Sequence, residues 1–318
     1  MRGRVLVTDD VHPYLLSALK DLDYAVDYEP EITLEATIKA IAIYQGVVVN
    51  TKILVNELFL KAATRLRFIA RLGSGLDTID VDAAEARGIL IFSSPEGNAN
   101  AVAEHALGML LTLANNFVRA DHEVRNKKWC REANRVLELA GKTLGIYGFG
   151  HNGSRLGQIT ASLDISVITY DKYKTPGYSH GLTHVQEADS SRLCAEADFI
   201  SFHLPLTTET NYLVDLYFLY RCKRGVIIIN TSRGKIVHTA HLLSALKEGQ
   251  VSKAALDVFE NEKVDTFTAE EEGMYQELYG LPQVLLTPHI AGWTKESKYK
   301  IAALLVEKIA AEVSKGRL

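Results

Sequence analysis

Three glycines in GxGxxG register, Gly148, Gly150 and Gly153, lie in the segment KTLGIYGFGHNGSRLG. They follow an apolar run that predicts a strand over Thr143–Tyr147 and open a helical pattern over 154–162. Each has a physical task in dinucleotide binding. Gly148 makes the tight turn, Gly150 lets a pyrophosphate approach the backbone, and Gly153 lets the helix pack on the sheet. The helix start then offers unpaired N–H groups and a positive dipole end to the phosphates. The next predicted strand ends at Asp171, 18 residues beyond Gly153, close to the ~20 expected of a ribose-binding acid. A carboxylate there accepts from both ribose hydroxyls and repels a 2′-phosphate, so NAD is expected over NADP. Lys172 beside it weakens that exclusion.

Four further segments place polar residues where predicted strands end: His203-Leu204-Pro205, Asn230-Thr231-Ser232-Arg233-Gly234, Leu256 to Glu262, and Thr287-Pro288-His289-Ile290-Ala291-Gly292. Ligands of open α/β sheets bind at such ends. A planar Arg fork suits a carboxylate, and a His beside a Glu suits proton transfer near neutral pH. His238 and His241 form an HxxH pair without Cys or carboxylate neighbours in sequence, and no metal site is expected. His105 is expected to be an interface histidine.

The elements that must hold these residues follow from the length and the apolar pattern. At roughly 150 residues per domain, 318 residues imply two domains. A net charge of −4 excludes a broad cationic surface for nucleic acid or anionic membrane. No apolar stretch approaches the ~20 residues of a membrane span, and MRGRVLVTDD is no secretory signal, so a cytoplasmic protein is expected. Cys130, Cys194 and Cys222 are expected to be buried thiols. Short apolar runs at 5–7, 24–26, 46–49, 68–70 and 89–91 alternate with helical spacing, the pattern of a parallel sheet covered on both faces. One long helix is expected over 99–127. A second strand series follows at 143–147, 166–170, 199–202, 226–230, 254–256 and 284–287, with a final amphipathic helix over 295–315.

With RLGSGLDTIDVDAAEARGILIFSSPEGNANAVAEHALGMLL, the glycine segment, NTSRGKIV, ALDVFENE and TPHIAGWTKES in this order, the chain resembles the D-isomer-specific 2-hydroxyacid dehydrogenases, most closely their D-3-phosphoglycerate dehydrogenase branch. The resemblance implies an α/β fold of two doubly wound parallel-sheet domains. Residues 1–97 and 291–318 would form a flavodoxin-like substrate domain, and 98–290 an inserted Rossmann NAD domain whose cleft closes over the reactants. It implies His289 as general base, Glu262 as its orienting partner and Arg233 as the carboxylate-binding residue. Ser74 and Gly75 would add backbone N–H groups for that carboxylate, Ser74 also lying near the cofactor. NAD would be met by Gly148, Gly150, His151, Asn152, Gly153, Asp171, His203, Leu204, Pro205, Thr231, Arg233, Asp257, His289 and Gly292, with Asp257 near the nicotinamide carboxamide.

Two departures bear on the substrate and the site. Many relatives carry an Arg where this chain has Asn50, leaving Lys52, Arg71, Arg131 and Arg135 as candidate phosphate ligands, each with an alternative as a loop brace or a solvated charge. From Glu262 to His289 is 27 residues, longer than usual, with Lys263 in place of the common proline, and TFTAEEEGMYQELYG has helical spacing. The expected activity is NAD-dependent oxidation of 3-phospho-D-glycerate to 3-phosphohydroxypyruvate, toward serine. The alternatives are a reductase of a small unphosphorylated 2-keto acid (hydroxypyruvate, glyoxylate or D-lactate type) and a non-catalytic NAD(H)-sensing scaffold of corepressor type. A homodimer through the long helix is expected, as is the absence of feedback by a C-terminal regulatory domain.

Overall fold

The computed structural model describes residues 2–318. The chain forms two compact units, one of residues up to Ala99 together with Trp293–Leu318, the other of Asn100–Gly292.

In the first unit, β1 (Gly3–Val7), β2 (Tyr24–Tyr28), β3 (Gly46–Val49), β4 (Phe68–Arg71) and β5 (Leu90–Phe92) form a parallel sheet ordered β2-β1-β3-β4-β5. This is a doubly wound order. Alternate residues of each strand point to opposite faces. Val5, Val7, Val48 and Phe68 meet Leu305 and Ile309 of the helix Lys295–Ser314, while Leu6, Val47, Val49 and Ile69 meet Phe59 and Ile41. Every residue of β3 and β4 is therefore buried, and all but the terminal Arg71 are apolar. A capping box starts the C-terminal helix: Thr294 Oγ1 accepts from Ser297 N–H, and Ser297 Oγ accepts from Thr294 N–H, both at 3.0 Å.

The second unit is a seven-stranded parallel sheet made of β6 (Thr143–Tyr147), β7 (Ser166–Tyr170), β8 (Val185–Glu187), β9 (Phe199–Phe202), β10 (Val226–Asn230), β11 (Val251–Leu256) and β12 (Val284–Leu286). Its order is β12-β11-β10-β9-β6-β7-β8. Strand order reverses between β6 and β9, so the connections leaving these neighbours go to opposite faces and open a crevice at their carboxyl ends. Tyr147, Ile200, Phe202 and Ile228 are buried on one face; Leu144, Ile146, Phe199 and Ile229 are buried on the other.

The fold class expected from the sequence is the one observed, with three local corrections. The helix expected over 99–127 breaks into Ala99–Ala114 and Phe117–Arg125. At the break Asn116 adopts φ 52°, and the Lys253 ammonium donates to Leu113 O and Asn116 Oδ1 at 2.5 Å each. A cation on the exposed carbonyls of a helix end stabilises that end. The edge strand β8 was not anticipated, because Val185-Gln186-Glu187 has a single apolar residue. Cys130 is exposed, whereas Cys194 and Cys222 are buried. Among the described residues no helix is long and apolar enough to cross a membrane.

Candidate active site

The crevice begins with the turn after β6. Gly148 has φ +93°, and a Cβ there would lie 2.4 Å from His203 O, so only glycine fits between β6 and the connection from β9. A Cβ on Gly153 would lie 2.0 Å from Gly148 O, which seats the helix His151–Ile159 on the turn. A Cβ on Gly150 would meet nothing within 4 Å, and no side chain caps the helix start that it forms. The first-turn N–H groups, including those of His151 and Asn152, thus face open space suited to an anion.

Asp171 fastens this turn to the end of β7. Its Oδ2 accepts from Phe149 N–H at 2.8 Å and its Oδ1 from Tyr173 N–H at 3.1 Å, leaving further lone pairs for other donors. The neighbouring Lys172 is paired with Glu209 at 2.8 Å, which neutralises the cation that weakened the expectation of NAD. Three buried polar atoms along the same crevice have no protein partner: Asn152 Oδ1, His203 Nδ1 and Thr231 Oγ1. His203 Nε2 lies 2.9 Å from Ser201 Oγ, and burial pushes its imidazole down to about 4, so it is neutral at physiological pH. Leu204 N–H donates to Ser232 Oγ at 3.2 Å, and Pro205 O accepts from Thr210 Oγ1 at 2.6 Å. An open helix start, a carboxylate at the end of the next strand and orphaned polar atoms fit a dinucleotide.

Arg233, Glu262 and His289 come from three successive connections at the same end of the sheet. After β10, buried Asn230 shapes the turn by donating Nδ2–H to Arg233 O at 2.9 Å and accepting Ser232 N–H at 3.1 Å. The extended Arg233 follows, its Nη1 donating to Ser232 O at 2.7 Å. A Cβ on Gly234 would lie 1.8 Å from Phe259 O. Glycine is therefore what lets the Arg233 turn lie directly against the Glu262 connection. After β12, His289 adopts φ +56° and its Nδ1 lies 2.9 Å from Glu262 Oε2. Partial burial pushes the Glu262 carboxyl upward, but the His289 hydrogen bond and charge, the Phe259 N–H and the Arg233 charge together hold it below the usual carboxylate range. An ionised carboxylate only accepts, so Nδ1 carries the proton and donates, leaving Nε2 as the unprotonated nitrogen of the neutral ring. The two side chains are 45% and 41% exposed. Solvent screening keeps such a pair's contribution to stability small, and orientation is its effect.

Asp257 is fully buried at the end of β11. Its Oδ1 accepts from Thr287 Oγ1 at 2.6 Å and from Ile290 N–H at 2.9 Å, its Oδ2 from Ala291 N–H at 2.8 Å, and its carbonyl from His289 N–H at 2.7 Å. The acid expected beside a carboxamide is thus the clamp of the His289 turn, directly before Gly292. His105, expected to be an interface histidine, reaches this clamp: its Nε2 lies 3.2 Å from Thr287 Oγ1 and 3.6 Å from Asp257 Oδ1. His238 and His241 stack at 3.8 Å, and among the described residues no group of three or more His, Cys, Asp or Glu could hold a metal.

Of the other expected ligands, Ser74, Gly75, Lys52 and Arg71 lie in the first unit. Ser74 and Gly75 follow β4, with Ser74 Oγ donating to Asn98 Oδ1 at 3.1 Å. Lys52 donates to Pro30 O, and buried Arg71 donates to Leu72 O, bracing its own loop. Arg131 and Arg135, in the second unit, are exposed, and Arg135 pairs with Glu132 at 2.8 Å.

A glycine turn beneath a helix start, on a sheet reversing at β6 and β9, defines a dinucleotide-binding α/β protein, and an Arg and a hydrogen-bonded His–Glu pair stand on neighbouring connections at the same end of that sheet. Residues 107–291 match the family described as D-isomer specific 2-hydroxyacid dehydrogenase, NAD binding domain. The chain is 32% identical to D-3-phosphoglycerate dehydrogenase of Archaeoglobus fulgidus over 98% of its own length, spanning 58% of that protein. It is 33% identical to hydroxypyruvate reductase of Thermotoga maritima over 98% of itself and 99% of that protein. The structure resembles D-lactate dehydrogenase from Aquifex aeolicus complexed with NAD and lactic acid, with TM-score 0.84, 28% identity and coverage of 99% and 96% of the two chains. The chain belongs to the D-isomer-specific 2-hydroxyacid dehydrogenase family, and its cofactor is NAD.

The clamp predicts that Asp257→Asn, whose amide turns a donor toward at least one of the three donors around this buried side chain, destabilises the protein by about 1–3 kcal/mol. The urea-unfolding midpoint measures this, and an unchanged midpoint contradicts the clamp.

Proposed function

We propose that the protein is an NAD-dependent D-2-hydroxyacid dehydrogenase acting on 3-phospho-D-glycerate. The observation that carries the activity is His289 Nδ1 held at 2.9 Å by an ionised Glu262, on turns that bring Arg233 close enough for its charge to act on that carboxylate. In the oxidation direction His289 Nε2 takes the substrate hydroxyl proton. Glu262 keeps the ring in one tautomer and stabilises the imidazolium as it forms. Arg233 binds the substrate carboxylate through its planar fork and, in the reverse direction, polarises the carbonyl while His289 returns the proton. Bound NAD supplies the acceptor for the hydride that leaves the same carbon.

The phosphorylated substrate is supported by the D-3-phosphoglycerate dehydrogenases among the relatives. A second reading, a reductase of an unphosphorylated 2-keto acid such as hydroxypyruvate, is supported by two specific observations. Lys52 and Arg71 direct donors to their own backbone surroundings, and the chain matches a hydroxypyruvate reductase along nearly its whole length.

Initial rates of NADH formation on 3-phospho-D-glycerate and D-glycerate separate the two. One or two charge-assisted contacts to the phosphate correspond to about 10- to 100-fold in kcat/KM. Equal values, or a preference for D-glycerate, transfer the assignment to the unphosphorylated acid. Glu262→Gln tests the relay. Its kcat is expected to fall about 10²-fold, and the acidic limb of kcat/KM for oxidation to move to lower pH, because an imidazolium without its carboxylate is less stable and the neutral base persists further into acid. A limb that moves to higher pH, or kcat within twofold of the parent, contradicts the relay.

A further inference from the structure

We infer that the segment between Glu262 and His289 positions the proton relay, with Asn261 and Tyr275 as positioning residues for Glu262. This deepens the proposed function and rests on its assignment of Glu262. In this chain Glu262 is followed by Lys263, so no proline ring fixes the backbone beyond it. The rigidity comes from Asn261 instead. Asn261 Oδ1 accepts from Lys263 N–H at 3.0 Å, an Asx turn that bends the chain around Glu262. Asn261 Nδ2 donates to Thr266 Oγ1 at 3.2 Å and to Glu271 Oε1 at 3.3 Å, and Asn261 N–H donates to Tyr275 Oη at 3.2 Å.

These partners belong to the segment between Glu262 and His289 and are themselves fixed. Tyr275 sits on the helix Ala269–Tyr279 and is 1% exposed, stacked on Phe267 at 4.6 Å and edge-on to Phe259 at 6.0 Å. Its hydroxyl is therefore held by packing on ring faces that cannot give way without opening the core. Glu271 is the third residue of the same helix, and its Oε2 closes the capping box by accepting from Thr268 N–H at 2.7 Å. On the other side of Asn261, Glu260 accepts from Tyr212 Oη and from Thr239 N–H, both at 2.6 Å. The residues just before Glu262 are tied to two different helices, so the carboxylate beyond them projects from a backbone with little freedom.

Tyr275→Phe keeps the ring and its stacking and deletes only the hydroxyl. The expected result is a fall of about tenfold in kcat, short of the ~10²-fold that a 1 Å misplacement can cost, with KM for NAD unchanged. The acidic limb of kcat/KM should move toward that of Glu262→Gln. Asn261→Ala, which removes the Asx turn without touching the core, should produce the same shift, and it serves if Tyr275→Phe fails to bind NADH by fluorescence. Added to Glu262→Gln, either change should have no further effect on kcat, because both act through one carboxylate. A parent-like pH profile in these variants, or the same loss of kcat in both backgrounds, overturns the positioning role. Full activity of Glu262→Gln alone overturns the relay itself, and that result is read without any change at Tyr275.

Discussion

The site depends on one buried carboxylate. Asp257 receives the Thr287 hydroxyl and the N–H groups of Ile290 and Ala291, while its own carbonyl receives the N–H of His289. A non-glycine residue in the left-handed region costs on the order of 1–3 kcal/mol. A hydrogen bond contributes about 0.5–1.5 kcal/mol net, so three of them together can sustain the φ of +56° at His289. Without that conformation the imidazole would not leave its turn toward Glu262. The acid placed at the end of β11 thus holds the backbone that presents His289, and on the proposed mechanism it acts through that backbone.

The remaining parts are arranged around this turn by close backbone approach more than by side-chain attraction. Gly234 allows the Arg233 turn to touch the backbone at Phe259, and Gly148 allows the first turn to touch that at His203. The parallel strands already put the connections after β6, β9, β10 and β11 at one end of the sheet, and these contacts let neighbouring connections close on one another there. Charge then acts locally. The formal net charge of −4 is no obstacle to an anionic substrate, because Arg233 and the helix start at Gly150 provide positive potential where an anion would sit.

The fold class was legible because parallel strands buried on both faces leave unbroken apolar runs such as Val226-Ile227-Ile228-Ile229, all buried. The glycine turn was legible because its spacing is dictated by contacts that no Cβ could occupy. What escaped the sequence were matters of side-chain partnership. Apolar periodicity runs through Asn116 without a signal that Lys253, far along the chain, would bind the end of one helix and let another begin. For Arg71 and Lys52 the sequence left phosphate ligand, loop brace and solvated charge open, and only the fold shows each donating to a nearby backbone carbonyl. Asp257, His105 and Tyr275 differ in the same way: their neighbours in space are Thr287 and Asn261, and only the folded topology chooses them. The helical spacing of the segment between Glu262 and His289 was readable, but its bond to the residue before Glu262 was not.

The central claim is that His289, presented by the Asp257 clamp and oriented by Glu262, is the base that takes the hydroxyl proton. Replacing it with glutamine keeps a polar side chain while removing the titratable nitrogen. The account predicts that His289→Gln lowers kcat for D-hydroxyacid oxidation by about 10³-fold, within the range typical of general acid–base catalysis, while the dissociation constant for NADH stays within about twofold of the parent. Turnover within a few-fold of the parent, with NADH still bound, would contradict it.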